Sequence, residues 1–168
     1  MNTPSGSQFS AQLAKEDFKF SSAHFTVFGP DRAEGLHGHN YRVRVTLWGA
    51  SLNELGFLAD FAAVKAVIRD RCAEWDEKIL MPSDAPYLRI SEEDGSLEIE
   101  YAERRYRLPV EETELLPVTN ITVEALAELF WTMLARASCW QDTSVDRVRV
   151  SISETSGQGA SYSAPLER

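Results

Sequence analysis

The only three histidines of this 168-residue chain, His24, His37 and His39, fall within sixteen positions of one another. Neutral imidazole is the commonest protein ligand for transition metals. Three imidazoles with an open fourth position make a catalytic zinc site, in contrast to a closed four-ligand structural one. His37 and His39 flank a single glycine where an alternating run begins, and residues two apart on a strand point to the same side. His24 ends the preceding alternating run, so an antiparallel return would set it beside the pair. Spacing alone leaves two readings open: a metal centre, or three unrelated histidines of surface and core.

The elements that must position these residues are legible from hydrophobic periodicity. Residues 16–28 (EDFKFSSAHFTVF) alternate and are rich in Phe, which predicts a strand broken by Gly29-Pro30-Asp31. Residues 39–48 (HNYRVRVTLW) predict the clearest strand, with Tyr41, Val43, Val45 and Leu47 on one face, His39, Arg42 and Thr46 among the rest, and Gly49 closing it. Over 59–75, Phe61, Val64, Ile68, Cys72 and Trp75 recur at spacings of three and four behind Asp60 as N-cap, which predicts a helix. Pro82 and Pro86 punctuate its exit. Around a turn at Gly95, YLRISEED, SLEIEYAE and RRYRLPV predict an acidic hairpin or meander. Thr122 caps a second helix to about Arg136 that turns Val123, Leu126, Leu129, Phe130 and Met133 inward, and residues 146–154 (DRVRVSISE) predict a last strand. That order implies one α+β domain with both helices on one face of an antiparallel sheet.

Composition narrows the function classes. The length is that of one domain, and 43% hydrophobic with 26% charged residues is globular. No apolar run approaches the ~18 residues of a membrane helix. The opening MNTPSGSQFSAQLAKEDF lacks an apolar centre, so residues 1–15 read as a polar N-terminal arm and not a signal peptide. The formal charge of −9 argues against nucleic acid, whose phosphates demand the opposite sign. Nine acids against three arginines in residues 91–114 account for −6 of it, leaving room elsewhere for an anionic ligand. Cys72 and Cys139 are too few for a disulfide framework, lie in segments that read as helix, and fit a reducing cytoplasm.

FSSAHF at 20–25, LHGHNY at 36–41, GFLADF at 56–61 and SISET at 151–155 together resemble the 6-pyruvoyl- and 6-carboxytetrahydropterin synthase family. The match runs in order from about residue 16 to 162, and the spaced His…HGHNY is its specific part. The resemblance implies a T-fold: an antiparallel four-stranded sheet with two helices, here over residues 16–168 with an acidic β-hairpin insert at about 87–110. It implies Zn2+ held by His24, His37 and His39, a pterin triphosphate substrate, and trimers or dimers of trimers with active sites between subunits. No nucleic acid or membrane partner is expected.

Two departures from the family pattern stand out. Family enzymes carry a catalytic cysteine four residues before the first histidine of HGH, and Ala33 occupies that position. Glu34 beside it gives E-x-x-H-G-H, which resembles a branch in which glutamate replaces cysteine and the side chain of 7,8-dihydroneopterin triphosphate is cleaved to 6-hydroxymethyl-7,8-dihydropterin. A carboxylate near a metal-bound hydroxyl can take its proton and drive a retro-aldol cleavage. The family's Asp-His pair appears as Asp76-Glu77, and a carboxylate there can relay protons only with a raised pKa. Glu154 matches the glutamate that grips the pterin ring through two parallel hydrogen bonds. Thr122 and Glu124 match a Thr-x-Glu helix start beside the pocket, although capping explains Thr122 equally well. The expected site is therefore Glu34, Asp76 and Glu77 for catalysis, Glu154, Thr122 and Glu124 for substrate, and the three histidines for metal. The rival expectations are carboxytetrahydropterin or pyruvoyltetrahydropterin synthesis and, from another class, a non-catalytic pterin-binding protein.

Overall fold

The computed structural model describes residues 8–154 and 157–167; residues 1–7 of the arm, Thr155 of the SISET match and Arg168 lie outside them. Among the described residues, ten strands and two α-helices follow one another as β1 (Phe9–Leu13), β2 (Lys19–His24), β3 (His37–Gly49), α1 (Phe61–Trp75), β4 (Lys78–Pro82), β5 (Arg89–Glu93), β6 (Ser96–Tyr101), β7 (Arg104–Pro109), β8 (Thr113–Leu116), α2 (Val123–Ala135), β9 (Val145–Glu154) and β10 (Gln158–Pro165). A seven-stranded sheet runs β10-β9-β3-β2-β4-β8. β1 joins β3 beyond the end of β2, pairing Phe9–Leu13 with Val45–Gly49.

The α+β T-fold expectation holds, with corrections to its sheet. The sheet is mixed: β2 pairs with β4, and β4 with β8, in parallel. Residues 9–13, expected in a polar arm, are strand β1. The insert is a separate three-stranded antiparallel sheet, β5-β6-β7, which is the meander and not the hairpin of the two forms expected. β4, β8 and β10 carry too little alternation to have been foreseen. β10 is built largely from Ser, Ala and Gly, and Pro82, expected to punctuate the α1 exit, ends β4 opposite Leu116.

Both helices cover one face of the sheet. Asp60 caps α1 by accepting from the Ala62 backbone N–H at 2.8 Å, and α1 buries Val64, Ile68, Cys72 and Trp75. Thr122 caps α2 by accepting from the Ala125 N–H at 3.2 Å. The buried stripe of α2 is Val123, Leu126, Ala127, Phe130 and Leu134, so Ala127 and Leu134 join the deep core while Leu129 and Met133 are only partly buried. Trp75 lies between Phe20 of β2, at 5.3 Å, and Phe130 of α2, at 5.6 Å, with edge-on geometry at both. Its carbonyl accepts from the Ser22 hydroxyl, which ties the end of α1 to the strand that ends in His24. Cys139, expected in a helix, lies in a single 3-10 turn at Ser138–Trp140. Gly49 admits no side chain, because a Cβ there would lie 2.2 Å from the Ser144 carbonyl oxygen.

A three-histidine cluster in a carboxylate-lined cavity

The strand register brings the histidines together. His24 and His37 are direct cross-strand partners of β2 and β3, and His39 follows two residues on. Alternation puts His37 and His39 on the same face as Tyr41 and Val43, so the grouping of His39 with Arg42 is corrected. The triad extends the core-facing side of the sheet to the start of β3 and the end of β2. Ring centroids lie 4.9, 5.4 and 4.7 Å apart for the pairs 24–37, 24–39 and 37–39. One nitrogen from each ring falls within 4.8 Å of the others.

The donor chemistry suits a metal ion. His37 Nδ1 is 2.8 Å from the Gly35 carbonyl and donates to it, which leaves a lone pair on Nε2, 2.9 Å from His39 Nε2. His24 is buried, and neither ring nitrogen has a hydrogen-bond partner. An orphaned buried group of this kind costs about 1–3 kcal/mol, a penalty that coordination removes. Burial, then the neighbouring His37 and His39, lower the His24 pKa to about 4, so the ring is neutral at pH 7, as a ligand must be. Three nitrogen donors without a thiolate fit zinc among other divalent metals.

Glu34 reaches the same place by a different route. The strand predicted over 16–28 stops at His24, and the chain folds into a narrow loop. Phe28 N–H donates to Arg32 O at 2.8 Å, Val27 bridges Ala33, and Glu34 N–H donates to Thr26 O at 3.0 Å. Thr26 N–H returns a bond to Glu34 Oε2 at 3.1 Å. Partial burial alone would raise the Glu34 pKa, but the Thr26 hydrogen bonds and the electrostatic influence of the neighbouring His37 and His24 rings outweigh it and hold it below the ordinary value. The carboxylate is ionised at neutral pH and able to accept a proton.

Glu34, the triad, Thr122, Glu124, Glu154 and Gln158 line one cavity of about 230 Å3. Glu154 Oε2 lies 3.6 Å from His39 Nε2, and its other oxygen accepts from Gln158 Nε2 at 2.6 Å across the β9–β10 hairpin. Tyr41 stands directly opposite Glu154 in the sheet, and its hydroxyl is buried without a partner. Burial and the Glu154 charge push the Tyr41 pKa upward, so it stays a neutral phenol.

Asp76 and Glu77 are not brought to this cavity within one chain. Asp76 Oδ1 accepts from Ser21 N–H at 2.7 Å, and Glu77 N–H donates to Ser21 O at 2.8 Å with Glu77 in the left-handed region at φ 58°. Both line a separate depression with Asn40, Arg42 and Arg69. Sequence reasoning also missed the residues that hold the site in place. Asn120 accepts from Val27 N–H at 3.1 Å and donates to Val27 O at 2.8 Å, and Thr26 and Gln158 orient the two carboxylates. No spacing announces Asn120. Gln158 was accessible in principle, as a polar residue four positions after Glu154 across a glycine turn.

Two helices on a mixed sheet, with a histidine triad at the strand ends, define a T-fold protein with a built three-nitrogen site. The profile of the family described as 6-pyruvoyl tetrahydropterin synthase matches residues 12–165, and the chain belongs to that family. A Methanocaldococcus jannaschii protein provisionally named a 6-carboxy-5,6,7,8-tetrahydropterin synthase is 35% identical over 150 residues, covering 89% of this chain and 91% of its own. A Pyrococcus horikoshii protein with the same provisional name is 25% identical, covering 89% and 88%. Among solved structures, Plasmodium vivax 6-pyruvoyltetrahydropterin synthase, in a form with its catalytic glutamate replaced by alanine, superposes with a TM-score of 0.89 at 24% identity over 95% of this chain and 99% of that one. At that identity the likeness speaks for the fold.

Proposed function

We propose that the protein is a zinc-dependent lyase acting on 7,8-dihydroneopterin triphosphate, releasing 6-hydroxymethyl-7,8-dihydropterin with Glu34 as general base. The observation that carries this reading is the ionised Glu34 carboxylate in the same cavity as the triad, next to an alanine where a cysteine base would stand. His24, His37 and His39 would hold the metal, which when bound lowers the pKa of substrate hydroxyls and polarises the adjoining carbon. Glu34 takes the proton from the hydroxyl on the second side-chain carbon. The bond between the first and second carbons breaks, its electron pair passes into the ring, and the first carbon is then protonated. A two-carbon aldehyde leaves with the triphosphate. Glu154 grips the pterin amino edge, and the Gln158 bond keeps its carboxylate in line. That the Plasmodium vivax enzyme has a glutamate named as catalytic supports a glutamate in this role.

The cavity of about 230 Å3 is smaller than the ~300–1,000 Å3 of a complete small-molecule site. We assign the remainder to a neighbouring subunit, in a trimer or dimer of trimers, whose Asp76 and Glu77 would complete the proton path. A second reading, 6-carboxytetrahydropterin synthesis, is favoured by the name of the Methanocaldococcus jannaschii relative. The test of the base is Glu34→Gln in the zinc-loaded protein. The expected result is turnover lowered about 10²–10⁴-fold with zinc content and pterin binding kept. Unchanged turnover would remove Glu34 from the mechanism.

A further inference from the structure

The inner face of the β5–β7 insert has no part in the chemistry above, yet it grips the loop that carries Glu34. Pairing of β6 with β7 sets Leu97 against Leu108, Ile99 against Tyr106 and Tyr101 against Arg104. Cross-strand partners share a face, so Arg104 is the charged member of an otherwise apolar row. The other two arginines of β7 point away: Arg105 pairs with Glu100 at 3.0 Å and Arg107 with Glu98 at 3.3 Å. Arg104 lies 5.8 Å from the Tyr101 ring centroid and sends its two terminal nitrogens to successive carbonyls of the loop. Nη1 donates to Glu34 O, and Nη2 donates to Ala33 O at 3.1 Å. On the same face the Tyr101 hydroxyl donates to Gly29 O at 2.7 Å, and the Tyr106 ring stacks on Phe25, the neighbour of His24, at 5.3 Å.

The Ala33 and Glu34 carbonyls belong to the two peptide planes that flank the Glu34 α-carbon. Holding both fixes the backbone torsions of Glu34, and with them the direction in which its side chain leaves the loop. A guanidinium is a planar fork, pre-organised for a two-point contact that an ammonium cannot reproduce. We propose that Arg104 is a positioning residue for Glu34, and that the insert serves as a platform aiming this carboxylate into the histidine cavity. The proposal rests on the reading of Glu34 as base.

The experiment compares Arg104→Met and Arg104→Lys in the zinc-loaded full chain, each with Glu34 present and in the Glu34→Gln background. Arg104 is exposed, so these variants keep the core intact. With Glu34 present, Arg104→Met is expected to lower kcat about 10- to 100-fold, the scale of a displacement near 1 Å, with KM and zinc content unchanged. Arg104→Lys should recover part of the loss. In the Glu34→Gln background, Arg104→Met should leave the residual rate where it was. A wild-type kcat for Arg104→Met beside an impaired Glu34→Gln overturns the role of Arg104 alone. An equal fall in both backgrounds, or loss of zinc, also overturns it, because Arg104 would then act on something other than Glu34. A fully active Glu34→Gln overturns the underlying assignment of the base.

Discussion

Removing the Asn120 side chain should unfasten the strand exit beside His24, by an amount that can be worked from its hydrogen bonds. Asn120 Oδ1 accepts from Val27 N–H and from Ile121 N–H, both at 3.1 Å, and Nδ2 donates to Val27 O at 2.8 Å. All three bonds are partly buried. Each contributes about 0.5–1.5 kcal/mol net, and a buried backbone group left without a partner costs about 1–3 kcal/mol. Water can reach part of this site, so Asn120→Ala is expected to cost about 2–3 kcal/mol. Asn120→Asp keeps the acceptor but loses the donor to Val27 O, and should fall between the two. The assay is urea denaturation of the metal-free chain at fixed protein concentration, with zinc affinity measured alongside. Zinc affinity should also fall, because Val27 is three residues from His24. A loss below about 0.5 kcal/mol, the range of an ordinary surface substitution, would refute the reasoning.

Metal analysis of the purified protein should find about one zinc per subunit, and His37→Ala should remove most of it; a stable wild type that binds no zinc contradicts the triad assignment. In the metal-free chain His24 titrates near 4 when folded and near 6.5 when unfolded. Between those values the unfolded chain binds the extra proton, so stability rises with pH, is complete above 6.5 and is lost as pH falls through 4. The total is at most about 3 kcal/mol, read as the difference between wild type and His24→Asn in denaturation across pH 4–7. Parallel curves would deny the burial of His24. If the site is shared between subunits, mixing inactive Glu34→Gln and Glu77→Gln chains should restore activity at about a quarter of the sites. No recovery on mixing places Glu77 outside the neighbour's site, and a fully active Glu77→Gln denies it any relay role.

Much of the site was legible because the strand register does the assembling. A period of two fixes where His37 and His39 point, and their pairing with the strand that ends in His24 follows from one antiparallel return. Both helices were visible from their stripes and from Asp60 and Thr122, whose side chains cap in the structure as expected. What escaped depends on contacts distant in sequence. β4 is a short strand recruited by parallel pairing with β2, and β8 by parallel pairing with β4, and their sequences KILMP and TELL have no period to betray them. β1 is a strand only because β3 extends far enough to receive it. Asn120 and Arg104 act on backbone groups 93 and 70 residues away, and backbone targets leave no trace in side-chain patterns. Arg104 had one faint signal: alternation along β7 places it with Tyr106 and Leu108, on the side a solvated charge would avoid.

The identity of the released pterin distinguishes the proposed side-chain cleavage from every rival reaction. The zinc-loaded wild type is incubated with 7,8-dihydroneopterin triphosphate, and the pterins are separated and read by fluorescence. The expected main product is 6-hydroxymethyl-7,8-dihydropterin, formed with release of a two-carbon aldehyde bearing the triphosphate. Carboxytetrahydropterin as the main product would contradict the assignment of Glu34 to side-chain cleavage, and tight binding without turnover would contradict the assignment of any reaction.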